Sequence, residues 1–262
     1  MGQVCVECVF VYKKAVIFFK TRAYDRVMRK TLFAISLSVI TLFLAAVSVC
    51  VHALQMPQAV FGEETLPLKI VIDAGHGGMD GGVVGRTTKV KESDLNLSIS
   101  LHLKDALEEI GFEVALTRKT SAGLYGAATN GFKRRDMLKR EEIIKKFSPS
   151  LVISVHQNFY PTHSTRGAQV FYRKNDESSR NFALCLQEKL NGVYAEEKVR
   201  NRNVMPGEFF ILECAPVPSV IVEYGFLSNV QDEKLLLTTV WQKKLAKATA
   251  SGVVAYLAEQ LS

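Results

Sequence analysis

Three short apolar runs in this chain end on residues that can bind metal or move protons. LKIVID (68–73) leads into Ala74-Gly75-His76, LVISV (151–155) into His156-Gln157-Asn158, and SVIV (219–222) into Glu223-Tyr224-Gly225. A fourth residue of this kind, Glu92, lies just ahead of a segment with helical periodicity. Each has an ordinary explanation when taken alone. A histidine at a strand end is most often a hydrogen-bonded polar residue, and an acid at a helix start is favoured by the helix dipole. Glu223 is less easily dismissed, because an unpaired carboxylate closing a buried strand is costly. Taken together the residues mean more. Two imidazole nitrogens and one carboxylate, with a fourth position open, make the donor set of a catalytic zinc site. A closed structural site calls for four ligands rich in cysteine, and only Cys185 and Cys214 follow residue 55. Those two read as small buried hydrophobes or as one disulfide.

Something must bring these residues to one place, and the pattern around them describes it. Leu95, Ile99, Leu103, Leu107 and Ile110 recur at helical spacing, which predicts a helix over 93–110 with Ser93 or Asp94 as N-cap and Gly111 as C-cap. Strands are expected at 68–73, 112–117, 151–156, 168–172, 209–212 and 219–223, and further helices at 134–147, 177–190, 232–237 and 241–261. Strand and helix alternate, and most strands are solid apolar runs. The fold class is therefore α/β, a single domain with a mainly parallel twisted sheet covered by helices on both faces. In such a sheet, ligands bind beyond the C-terminal strand ends, where His76, His156 and Glu223 fall. The glycines flanking His76 permit a tight turn. Residues 121–131 read as a surface loop.

The chain has 262 residues, 48% hydrophobic and 23% charged, which excludes a mainly disordered protein. Five cysteines exclude a disulfide scaffold. The net charge of +7 is unevenly placed, since residues 1–55 hold seven Lys/Arg against two Asp/Glu. No nucleic-acid partner is expected from the remaining small excess. Residues 31–54 carry no charged side chain and follow Arg26, Arg29 and Lys30. They are expected to be an N-terminal membrane-targeting helix, either a signal peptide cleaved after Ala53 or a retained anchor. The basic flank then places residues 1–30 in the cytoplasm, or leaves them untranslated if synthesis starts at Met28. Residues 55–67 read as a linker, and residues 68–262 as one exported domain on the outer face of the membrane.

The blocks VIDAGHGGMDGG, KESDLNL, ISVHQN and VEYGFLSN, in this order, resemble those of the zinc-dependent N-acetylmuramoyl-L-alanine amidases, and most closely the germination-specific group of spore formers. The resemblance implies one Zn²⁺ held by His76, Glu92 and His156, with Glu223 as the catalytic carboxylate. It implies peptidoglycan as substrate, a role in muramic-δ-lactam formation in the spore cortex, and a lipoprotein activator as a candidate partner. Asn158 and Arg140 are candidate substrate-binding residues, Arg140 either holding a substrate carboxylate or pairing with an acid of its own helix. Gln157 departs from the smaller residue many relatives carry there. The stretch between Arg118 and Arg140 is too short for the inhibitory helix found in some relatives. Two other functions fit the same residues, a zinc carboxypeptidase acting on stem peptides and a non-catalytic wall-binding protein.

Overall fold

The computed structural model describes residues 67–127 and 130–261, together with residues 28, 41–44 and 47. The expected leader (1–30), targeting helix (31–54) and linker (55–67) lie almost wholly outside the described residues. No described helix is long and apolar enough to cross a membrane.

Residues 67–261 form six strands, five α-helices and one 3₁₀ turn in the order β1 (Lys69–Ala74), α1 (Glu92–Ile110), β2 (Glu113–Leu116), α2 (Phe132–Phe147), β3 (Leu151–Asn158), β4 (Gln169–Arg173), α3 (Glu177–Ala195), β5 (Met205–Gly207), the 3₁₀ turn (Phe210–Glu213), β6 (Ser219–Phe226), α4 (Val230–Leu236) and α5 (Thr239–Glu259). The sheet order is β2-β1-β3-β6-β4-β5. β2, β1, β3 and β6 are mutually parallel, and β4 runs antiparallel to β6 and parallel to β5. The apolar runs are long because both faces of the sheet are covered. Ile70, Ile72, Ile153, Val155, Val220 and Val222 pack under α1, α3 and α5. Val71, Val152 and Ile221 point the other way, onto Ile144 of α2 and Ile211 of the 3₁₀ turn. Cys185 and Cys214 are both free and buried, one in each of these two clusters.

Two local expectations are corrected. The first concerns the start of α1, which is Glu92, with Lys91 at the cap and no side-chain cap bond. Its first N–H groups find backbone partners instead, Glu92 donating to Val83 O and Ser93 to Gly81 O. A loop carbonyl satisfies a helix-end donor as well as a serine does, so the composition of the first turn misplaced the cap. The C-cap is Gly111 as expected, in the left-handed region at φ 109°.

The second correction is at 209–212, which turns as a 3₁₀ helix, with Leu212 N donating to Phe209 O. Ile211 and Leu212 are adjacent and both buried on one side of the sheet. Alternating strand geometry cannot bury neighbours on one face. The strand beside β4 is instead Met205–Gly207, whose Pro206 is tolerated because β5 is the sheet edge.

Helices α3 and α5 touch closely at Gly252, where an added Cβ meets Leu186 Cδ2 at 2.7 Å and Leu186 Cα at 2.9 Å. Gly252→Ala is expected to destabilise the fold by about 1–3 kcal/mol through overpacking, despite alanine's better helix propensity. A thermal melt that rises in this variant contradicts the packing described here.

Candidate metal and hydrolytic site

The parallel register places the chemistry-bearing residues side by side. His156 on β3 pairs directly with Glu223 on β6. β1 lies on the other side of β3 and ends at Ala74, two residues before His76. Glu92 opens α1, which packs over β1 and β3. One ligand atom each from His76, Glu92 and His156 lies within 4.8 Å of the others, a grouping able to hold a metal ion. His156 Nδ1 is 2.9 Å and His76 Nε2 3.3 Å from Glu92 Oε1, and the two rings meet edge-on at 4.9 Å.

Each of the three side chains is held from behind. His76 Nδ1 faces Asp80 Oδ2 at 3.0 Å, which turns Nε2 inward. Glu92 Oε2 accepts from Val83 N–H at 2.9 Å. Its Oε1 accepts from Gln157 N–H and from the amide of Asn96, one helical turn along α1. Gly75 sits against the face of His156 so closely that a Cβ there would lie 2.3 Å from the imidazole. Burial alone would push the Glu92 carboxyl up, but hydrogen bonds and charge from His156 and His76 hold it well below its usual range. Burial lowers the His76 imidazole, yet Glu92 and Asp80 outweigh it and raise its pKa to about 9.

Glu223 differs. Its Oε2 is shut from solvent and has no hydrogen-bond partner. Burial pushes its pKa up to about 7; the charge of His156 pulls against this and that of Glu92 adds to it. The carboxylate looks into a cleft of about 350 Å³ that it shares with His76 and His156, walled by Phe132, Met137, Phe209 and Phe210.

Arg140 is buried, and its guanidinium is spent within the fold. Nε donates to Asp136 at 2.6 Å, Nη1 to Asp73 at 2.5 Å and to Ala74 O, and Nη2 to His76 O. Asn158 is drawn into the turn after β3, its Oδ1 accepting from Phe159 N–H and its carbonyl from Leu227 N–H. It does not line the cleft. The structure adds residues that sequence reading missed. Arg118 donates to Ala74 O, Gly75 O and Ser93 O, tying the His76 loop to the start of α1. Asp73, Asp80 and Asn96 complete the surroundings. Of these, Asn96 alone left a sequence signal, four residues after Glu92 on one helix face.

The family model described as N-acetylmuramoyl-L-alanine amidase matches residues 70–255. The germination-specific N-acetylmuramoyl-L-alanine amidase of Bacillus subtilis (strain 168) is 32% identical over 202 residues, covering 75% of this chain and 84% of that protein. The amidase AmiA of Escherichia coli (strain K12) is 26% identical over 229 residues, covering 71% of this chain and 75% of that one. Among solved structures, the CwlD amidase of Clostridioides difficile, in complex with the GerS lipoprotein, matches with a TM-score of 0.70 at 35% identity, covering 73% of this chain and 99% of that chain. Because the match to the family model covers well over half of the chain, the chain belongs to the N-acetylmuramoyl-L-alanine amidase family.

Proposed function

We propose that the chain hydrolyses the amide bond between N-acetylmuramic acid and the L-alanine of the stem peptide, with one Zn²⁺ held by His76, Glu92 and His156 and with Glu223 as the proton-transferring group. The observation that carries this reading is the convergence of three ligand atoms beside a buried, unpartnered carboxylate. The donor set fits zinc, since two imidazoles and one carboxylate oxygen with an open side are what catalytic zinc takes. The chemistry that zinc supplies when bound is a water pKa lowered to about 7 and a polarised carbonyl.

The chain's own residues do the rest. Glu223 accepts a proton from the attacking water as the water oxygen bonds to the lactyl carbonyl carbon. It then delivers that proton to the alanine nitrogen as the C–N bond breaks. A carboxyl raised to about 7 suits both halves of this exchange, since it accepts and returns a proton near neutrality. Asp80 holds His76 at Nδ1 and so keeps Nε2 turned to the metal position, and Asn96 and Val83 fix the Glu92 carboxylate. The aromatic walls of the cleft shelter the reacting amide. Arg140 we read as a positioning residue for the His76 loop.

The germination-specific relative and the CwlD neighbour support a place for this activity in the spore cortex, yielding the muramic acid from which muramic-δ-lactam is made. The lipoprotein seen with CwlD supports a lipoprotein partner here as well. The uncharged run at 31–54 supports export to the outer face of the membrane, cleaved or anchored.

Digestion of purified peptidoglycan with and without a chelator, read by mass spectrometry, tests the reaction. Intact stem peptides released only without chelator are expected; loss of terminal residues alone identifies a carboxypeptidase. Glu223→Gln is expected to retain zinc and lose about 10²–10⁴ in kcat, so full turnover in that variant removes Glu223 from the mechanism. His76→Ala and His156→Ala are expected to lose zinc, and Gly75→Ala to lose it by displacing His156, all read by metal analysis of purified protein. Arg140→Lys keeps the charge but not the fork. It is expected to weaken zinc binding about tenfold or more. A raised KM with undiminished zinc affinity instead gives Arg140 a substrate-binding role.

A further inference from the structure

A second cleft, of about 380 Å³, gathers Arg166 from the loop before β4 and Lys198, Arg200, Asn201 and Arg202 from the loop before β5. Four of these side chains are cationic and none is acidic. One carboxylate stands behind them. Asp232 Oδ1 receives Arg166 Nε at 2.8 Å, while its Oδ2 is taken by the N–H groups of Gly167 and Phe226. Arg166 Nη2 is buried and has no partner. Lys198 and Arg200 are exposed, and their side chains make no hydrogen bond or ion pair among the described residues. Arg202 is braced, its Nε donating to Gln169 Oε1 at 2.8 Å and its guanidinium lying 5.0 Å over the Phe226 ring. A concave site with two free cations, Lys198 and Arg200, a braced Arg202 and an orphaned nitrogen on the Asp232-paired Arg166 guanidinium is built for a multiply charged oxyanion.

The position of the cleft selects among oxyanions. Gln169 on β4 pairs directly with Glu223 on β6. Both side chains lie on the face that carries Phe171 and Ile221, so Arg202 reaches the immediate neighbour of the proton-transferring glutamate. An anion here is therefore close enough to belong to the same substrate molecule. Resting on the reading of the reaction given above, we infer that the Arg166–Lys198–Arg200–Arg202 cleft is a subsite for carboxylates of the stem peptide, the C-terminal one included, and that it holds the leaving peptide while the amide is cut.

The test uses the full chain and the double variant Lys198→Ala/Arg200→Ala, whose two side chains brace nothing in the fold. Steady-state kinetics are measured on a defined muropeptide with free peptide carboxylates and on the same muropeptide with those carboxylates amidated. The double variant is expected to raise KM for the acidic substrate about tenfold with kcat unchanged, and to leave both constants unchanged for the amidated one. Lys243→Ala/Lys247→Ala, which removes the same charge from exposed positions on α5, is expected to leave both substrates unaffected. An unchanged KM for the acidic substrate in the double variant overturns the subsite, as does a loss confined to wall material that retains a phosphate polymer. Failure of the unmodified enzyme to cleave either muropeptide refutes the proposed reaction instead, so the two failures are distinct.

Discussion

The backbone from Ala74 to His76 has to leave the sheet inside a dry region, and the rest of the site depends on how its polar groups are satisfied. At the end of β1 the chain turns into the left-handed region at His76, with φ 60°. Three carbonyls there point away from any strand partner. A buried carbonyl without a donor costs about 1–3 kcal/mol. Two buried guanidiniums supply the donors, Arg118 to Ala74 O and Gly75 O, and Arg140 to Ala74 O and His76 O. Each arginine also reaches a second element. Arg118 bonds Ser93 O at the start of α1, and Arg140 bonds Asp73 on β1 and Asp136 on its own helix. The loop bearing one histidine, the helix bearing Glu92 and the sheet bearing the other histidine are thereby held as one unit. A lysine could neutralise the same charge but could not bridge three directions.

Glu92 is the second hinge of this arrangement, because it joins local folding to chemistry. Its backbone N–H replaces a helix cap by bonding Val83 O, and its side chain receives Val83 N–H in return. That exchange fixes the loop 81–91 against α1 and aims the carboxylate between the two imidazoles. The position therefore does two jobs that sequence rules treat separately, a helix start and an arm of the candidate metal site.

Much of this was legible in the sequence because the signals were local. Solid apolar runs and helical periodicity specified the parallel sheet and its covering helices. The strand-end positions of His76, His156 and Glu223 followed from the rule that such sheets bind ligands at that rim. The parts that were not legible depend on contacts distant in sequence. Arg118 looked like any charge after a strand, since its partners Gly75 and Ser93 are 43 and 25 residues away. The α1 cap was misplaced because its acceptors lie in a preceding loop. The run at 209–212 read as a strand because composition does not say that Ile211 and Leu212 face the same way. The cation cleft was invisible for the same reason. Arg166 and the residues 198–202 come from two loops that only the fold brings together.

The proposed chemistry of the rim is best weighed on three of its carboxylates, Asp73, Glu92 and Glu223. Burial raises the pKa of each, and the neighbours decide the outcome. Asp73 meets that penalty with the charge of Arg140 and with hydrogen bonds from Ser154, Thr117 and Arg140, so its pKa falls below the ordinary aspartate value. Glu92 meets it with His156 and His76 and also falls. Glu223 has the charge of His156 nearby but no hydrogen bond to Oε2, and it remains raised at about 7. A fold able to give Asp73 three hydrogen-bonding partners did not lack the means to quiet Glu223. Asn158 and Gln169, one on each strand flanking β6, spend their side chains elsewhere, on Phe159 N–H and on Arg202 and Asn203. An orphaned buried acid costs stability, and where two groups' environments push their pKa values apart, their roles separate too. Asp73 is fixed as an anion that holds the loop, and Glu92 as an anion that faces the histidines. Of these three, Glu223 is the one left able to take up a proton and give it back.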